Sequence, residues 1–304
     1  MGKRNPKPFK TVDEQVGLLV SRGLAVPDCA SAAAFLLREN YYAVVNGYKD
    51  AFLDLEATNL AGEDRYRSNA SFESLRRLYD FDKRLRDMTM AILLEAESAM
   101  RTATVYAFCS VHGGPDDYLD PSCFCAKADY RPRERYAREL IKLLSKLQSV
   151  RDNRQRKDYI AYYDKNYRHV PLWVASKCLT FGTMASFFDL QQQSVKTRAC
   201  VALARSLGCD VVRQRDLQYA YHTLPEFRNI CAHGERLYCA RAGKNDDKGF
   251  PELLRALHTV VPEERLSMYT HEVAALTKSA CGSDPSLERA LTRGMRLTAG
   301  DLMG

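Results

Sequence analysis

No apolar run in the 304-residue sequence approaches the ~18 residues that carry a helix across a bilayer, so no membrane span is expected. The basic opening stretch MGKRNPKPFK (1–10) lacks the apolar segment of a signal peptide. Gly2 does not complete a myristoylation signal, because position 6 holds Pro6 instead of Ser or Thr. These absences point to a cytoplasmic protein. The ten cysteines show no framework spacing and lie in apolar helical stretches, which fits free thiols in a reducing compartment. Cys123 and Cys125 are the only close pair, with Cys109 and His112 nearby. The C-x-x-C spacing of zinc sites is missing, so neither a metal nor another cofactor is expected. No stretch sustains the period-two alternation of a half-buried strand, and no internal repeat or low-complexity segment stands out. The class that remains is all-α. Tryptophan occurs once, and Trp173 is expected to anchor a core.

What is present is a globular composition, 46% hydrophobic and 27% charged, long enough to bury one large core or two modest ones. A net charge of +7 suits a polyanionic partner without requiring one. Thr11 and Glu14 have the spacing of a capping box, and the helix they open stops at Arg22-Gly23. Asp28 caps a second helix whose inward stripe is Ala32, Phe35, Leu36 and Tyr42. The aromatic run NYYAVVNGYKDAF (40–52) reads as core packing or, alternatively, as a partly exposed platform for stacking bases, and residues 56–70 read as a polar loop. Ser71 then caps the longest helix, about 72–110, with Phe72, Leu75, Leu78, Phe81, Leu85, Met88, Ile92, Ala96, Ala99 and Ala103 facing inward and Arg76, Lys83, Arg84 and Arg86 mostly elsewhere. A loop over 112–122 precedes a basic helical segment from Arg133 to about Lys157. Further helices are expected from Pro171, over 195–207 up to Gly208, and over 210–222. Gly182 reads as a close helix approach or a break. Pro225 either kinks the last of these helices or starts the next one. Residues 242–249 are loop, and 250–304 are helical with breaks at Pro262 and 281–286.

The stretch TLPEFRNICAHGERLY (223–238) sets Arg228 five positions before His233, with Gly234 as a helix terminator. His222, Glu226, Asn229 and His233 share one helix face. Arg228 lies about 140° around the axis from His233 and about 7.5 Å along it. One helix offers too little surface to enclose a phosphodiester, so a site here is expected to be completed by a second copy across a two-fold axis. With 45 Lys and Arg in the chain such a spacing is weak by itself, and Arg215 with His222 is a decoy of the same kind.

RNICAHGERL (228–237) resembles the R-x4-H signature of HEPN-domain ribonucleases, and more narrowly the abortive-infection proteins of the Abi-D/Abi-F type. The order of Lys7-Pro8, Gln15, Arg22-Gly23, Tyr41-Tyr42, Gly47-Tyr48 and Phe52 is similar to that family's N-terminal pattern. LYDFDKRLR (78–86) and HVPLW…LTFG (169–182) are similar to further landmarks of the family. The resemblance implies a HEPN-like helical bundle with additional N- and C-terminal helices: a segment 1–60, a core 71–240 carrying the motif and a tail 250–304, packed as one unit. It also implies cytoplasmic phage defence and RNA as substrate or partner, in some members a small non-coding RNA. HEPN proteins pair the long helix with the motif helix, which makes Glu97 and Arg101, as well as Glu226, second-tier candidates. As residues alone, Glu97 and Arg101 read as an i,i+4 ion pair on a helix surface.

RNA carries its own nucleophile, the 2′-OH, so cleavage needs only proton transfer and charge stabilisation. Histidine titrates near neutrality and suits His233 to acid–base work. Arg228 would bind the scissile phosphate, and Asn229 would orient the imidazole or bond the phosphate. The basic segment with Arg131, Arg133, Arg135, Arg138, Arg151, Arg154, Arg156 and Lys157, followed by YIAYYDKNYRH (159–169) with Tyr163, has the cations and rings a single-stranded RNA groove needs, the alternative being a basic run that coats a solvated helix face. The expected function is a metal-independent endoribonuclease acting as a homodimer. The alternatives are a non-catalytic RNA-binding protein and a protein-docking module.

Overall fold

Thr11 opens the first helix as its spacing with Glu14 predicts. The Glu14 amide donates to the Thr11 hydroxyl at 3.3 Å, and the Thr11 amide donates to the Glu14 carboxylate at 2.7 Å. The computed structural model describes residues 8–298, so Lys7 lies outside the described residues. Among these, the α-helices run in order α1 (Val12–Ser21), α2 (Cys29–Glu39), α3 (Leu55–Ala61), α4 (Phe72–Val111), α5 (Tyr136–Arg151), α6 (Asp158–Tyr167) and α7 (Leu172–Ala175). Then follow α8 (Phe181–Asp189), α9 (Gln193–Leu207), α10 (Gln214–Ala232), α11 (Phe250–Val260), α12 (Glu263–Cys281) and α13 (Pro285–Met295). The described residues contain isolated bridges but no strand, so the class is all-α. No helix among them is long and apolar enough to cross a membrane. Two compact units share the chain: one takes the residues up to Asp87, Gly234–Ala240 and those from Thr270 on, the other Met88–His233 and Arg241–Tyr269.

In the first unit α1 packs on α2, whose Ala32, Phe35 and Leu36 are buried as expected. Phe35 meets Phe72 and Tyr79 of α4 edge to face. Tyr42 departs from the expected stripe and is 74% exposed. Asn40 takes a left-handed φ of +72° and residues Tyr42–Asn46 form a π-helical turn, so the 3.6-residue register does not carry through. Val44, Val45, Tyr48 and Phe52 supply the core packing of this stretch. The region read as loop holds α3, because the Asp54 side chain caps it by accepting the Ala57 amide at 3.0 Å.

The opening of α4 is capped by Ser71, whose hydroxyl accepts the Ser74 amide at 3.1 Å. Its stripe is buried except for Met88 and Ala99, which are half-buried. Arg86, expected outside, is buried together with Asp82.

In the second unit α10 packs between α8 and α11. Its Leu217, Tyr221, Leu224 and Phe227 are fully buried, as are Phe187 and Phe188 of α8 and Leu253 and Leu257 of α11. The Tyr221 hydroxyl bonds Thr104 at 2.7 Å and donates to the Met100 carbonyl at 2.9 Å, which locks α10 to α4. Pro225 lies inside α10, which begins at Gln214 and continues through it. Gly182 has nothing within 4 Å of where a β-carbon would stand and sits inside α8, so it marks neither a close approach nor a break. Trp173 is 58% exposed instead of anchoring a core. The one-turn helix α7 buries Leu172, Val174 and Ala175, and the position between them turns outward. The basic segment is helical only over α5; Arg133–Arg135 form a 3₁₀ turn, and residues 152–157 are non-helical.

Candidate functional site

His233 is the C-cap of α10. Its amide donates to the Asn229 carbonyl at 2.9 Å, and Gly234 follows at φ +69°, the left-handed conformation that ends a helix at low cost for glycine. The imidazole is exposed and so is Asn229. Arg228 is half-buried one residue earlier, and its Nε is fully buried without a hydrogen-bond partner. Among the described residues the Arg228 guanidinium makes no ion pair or hydrogen bond. An arginine so placed is a fixed cation whose anion the chain itself does not provide.

The other polar residues of that helix face are accounted for locally. His222 bonds Asp189 through Nε2 at 3.0–3.1 Å, and Gln218 donates to the same carboxylate at 3.1 Å. The hydrogen bond with Asp189 raises the His222 pKa against the opposing effect of burial. Glu226 lies 3.6 Å from Lys248. Arg215 of the decoy pair faces Asp216 at 3.6 Å. Among the described residues no ion pair or side-chain hydrogen bond engages Arg228, Asn229 or His233, and Glu226 Oε2 is buried without a hydrogen-bond partner although Lys248 stands near it.

Glu97 and Arg101 form the expected ion pair, but within the protein interior and not on a helix surface: Glu97 is 7% exposed and Arg101 also donates to the Leu179 carbonyl at 3.3 Å. Glu97 Oε2 and Arg101 Nε are buried without partners.

The basic residues fall into two groups. Arg131 and Arg133 close the turn before α5 by donating to the Ala128 carbonyl, and Arg135 and exposed Arg138 follow. Arg131 also lines a hollow of about 890 Å³ with Tyr136, Gln192, Gln193 and Lys196. Arg151 ends α5 and Arg154, Arg156 and Lys157 follow it, with Arg151 and Arg154 each 3.8 Å from Asp152. Arg138 and Arg151 are about 20 Å apart along the axis, so these cations do not share one turn of surface. The second group adjoins α6, whose one buried residue is Ile160. There Tyr163 packs on Tyr162 and Tyr167, with centroids 5.8 and 5.4 Å away, leaving Tyr162 and Tyr167 exposed.

The first unit also holds a polar knot that no sequence spacing marks. Asp82, wholly buried, accepts hydrogen bonds from the Tyr48 hydroxyl at 2.6 Å, Arg86 at 2.5 Å, the Leu237 amide at 3.1 Å and the Tyr238 amide at 2.7 Å. Arg236 donates to the Gly47 carbonyl at 2.7 Å, and the Tyr48 and Tyr238 rings stack at 5.9 Å. Landmarks 47–48, 78–86 and 236–237, far apart in the chain, therefore meet at one place. The available signal was an aspartate set between Leu78, Phe81 and Leu85 on the inward stripe.

A family model described as Abi-like protein matches residues 34–239. That span holds the aromatic run, LYDFDKRLR, HVPLW and the R-x4-H motif, while Gln15 and Arg22-Gly23 precede it. No curated protein and no solved structure matches the chain.

Proposed function

The chain belongs to the Abi-like protein family of abortive infection and phage defence, and from that premise we propose that it is a HEPN-type endoribonuclease cleaving RNA without a metal. The observation that carries the reading is the unpartnered Arg228 five residues before an exposed His233 at the end of α10. The ribose 2′-oxygen attacks the adjacent phosphorus, His233 takes the hydroxyl proton, and the P–O5′ bond breaks as the leaving oxygen takes a proton from water. The products are a 2′,3′-cyclic phosphate and a 5′-hydroxyl. Arg228 holds the phosphate and offsets the charge that accumulates on its oxygens in the transition state. Asn229, exposed one turn before the imidazole, orients it or bonds the same phosphate. Two copies related by a two-fold axis supply the enclosing surface that one helix end does not.

The test is incubation of the purified chain with single-stranded RNA in EDTA. A cyclic phosphate terminus formed by the wild type and lost in His233→Ala supports the reading. Cleavage that persists in the variant, or that starts only on adding a divalent cation, overturns it.

The exposed tyrosines of α6 and the cations before them favour a second reading, an RNA-binding protein without turnover that associates with a small non-coding RNA. Salt-sensitive RNA affinity with no product would select it. Absence of affinity at low salt would leave a protein-docking role.

A further inference from the structure

The loop after α4 places three different metal-ligand side chains together. His112 is the first residue past the helix, Asp117 opens a 3₁₀ turn (Asp117–Leu119), and Cys123 ends another (Pro121–Cys123). Their ligand atoms all lie within 4.8 Å of one another. Cys125, the other half of the close pair, stands apart: it is buried and its amide is engaged with the Leu190 carbonyl at 2.8 Å. Asp117, silent in the sequence, takes the place that a second cysteine would have filled.

The three side chains are held from behind. The His112 amide continues the helix ladder to the Phe108 carbonyl at 2.9 Å, and its ring packs on Phe108 at 4.7 Å. Asp117 Oδ2 accepts the Gly114 amide at 2.7 Å, and a β-carbon at position 114 would collide with that carboxylate. The Cys123 amide is fixed on the Asp120 carbonyl at 3.1 Å. A hydrogen bond behind a carboxylate and a ring locked by packing are the supports that metal ligands usually have.

A second observation points to a missing partner. His112 Nε2 is completely buried and makes no hydrogen bond. A buried imidazole nitrogen left so is costly unless something binds it.

We propose that His112, Asp117 and Cys123 bind a zinc-class divalent cation that pins the loop between α4 and α5. A thiolate and a carboxylate balance the dipositive charge, and imidazole, sulfur and carboxylate oxygen together suit a borderline-soft ion. Tetrahedral zinc sets its donors about 3.5 Å apart, so shifts of about 1 Å in the side chains close the site. The fourth position falls to water. The site shares no residue with Arg228 and His233.

The experiment uses the full chain, stripped with EDTA and reconstituted with zinc or cobalt(II) sulfate. One metal per chain should survive gel filtration, and the cobalt form should show the intense visible bands of four-coordination with a thiolate-to-cobalt charge-transfer band. Cys123→Ser should abolish that band and weaken zinc affinity at least ~10-fold. Asp117→Asn should weaken affinity and keep the band, which separates loss of a ligand from loss of fold. A wild type that retains no metal, a cobalt spectrum without the thiolate band, or equal affinity in Cys123→Ser would overturn the assignment. None of these readouts depends on RNA cleavage, so the zinc site and the nuclease stand or fall separately.

Discussion

Tyr238 donates its backbone amide to Asp82 Oδ1 at 2.7 Å, across 156 positions of sequence. The same carboxylate holds the Leu237 amide, so Asp82 acts as a side-chain cap for a non-helical stretch of backbone. Arg86, itself buried, completes the charge balance. Asp82→Ala should destabilise the fold by about 3–5 kcal/mol, because it leaves a buried guanidinium and two amides unsatisfied. The urea midpoint should fall with the slope unchanged. A loss below about 1 kcal/mol would mean that water replaces the carboxylate without penalty.

Arg228 answers to a different test, since it makes no ion pair or hydrogen bond among the described residues. Arg228→Ala should leave the unfolding midpoint within about 0.5 kcal/mol of the wild type and lower RNA cleavage by about 10²–10³-fold. Arg228→Lys should recover only part of this, because an ammonium lacks the planar fork that grips two phosphate oxygens. Undiminished cleavage in Arg228→Ala would remove the residue from the site.

A site assembled from two copies makes its own prediction. Arg228→Ala and His233→Ala chains, each inactive alone, should regain activity when mixed and allowed to exchange. If the cation comes from one protomer and the imidazole from its partner, each mixed dimer holds one intact site, and the mixture reaches about a quarter of the wild-type rate. A mixture as inactive as its parts would place both groups in the same chain's site or exclude exchange, which light scattering of tagged chains distinguishes.

The parts of the fold legible in the sequence were those with long periodic signals. The α4 stripe repeats often enough that its inward face was plain, and the caps at Thr11, Asp28 and Ser71 declared themselves through one hydroxyl or carboxylate and an amide three residues on. Tyr42 was misplaced because a π-helical turn shifts the register, which composition does not encode. Trp173 was misplaced because α7 makes one turn and offers no period to read. Asp82 was invisible for a third reason: a charge reads as exposed until its donors are known, and its nearest hydroxyl donor is 34 residues away. The R-x4-H motif could be found by spacing. That Arg228 is unpaired while Glu97 and His222 are engaged is set by tertiary neighbours, which spacing does not encode.

The two histidines of α10 should separate cleanly. His222 faces Asp189 and Gln218, with Lys248 and Glu226 as the other charges acting on it, and its raised pKa follows chiefly from the Asp189 hydrogen bond. A histidine raised on folding stabilises the native state fully below its unfolded pKa of about 6.5, and loses that contribution as pH rises through the folded value. The side chain is half exposed, so solvent screening holds the effect to no more than about 0.5–1 kcal/mol. Urea midpoints from pH 5.5 to 8.5 should therefore show wild type and Asp189→Asn farthest apart at the acid end and converging at the alkaline end. His222→Ala should meanwhile retain RNA cleavage under conditions where His233→Ala has none. Parallel pH slopes would refute the pairing as a source of stability, and loss of cleavage in His222→Ala with the fold intact would move the acid–base role up the helix by three turns.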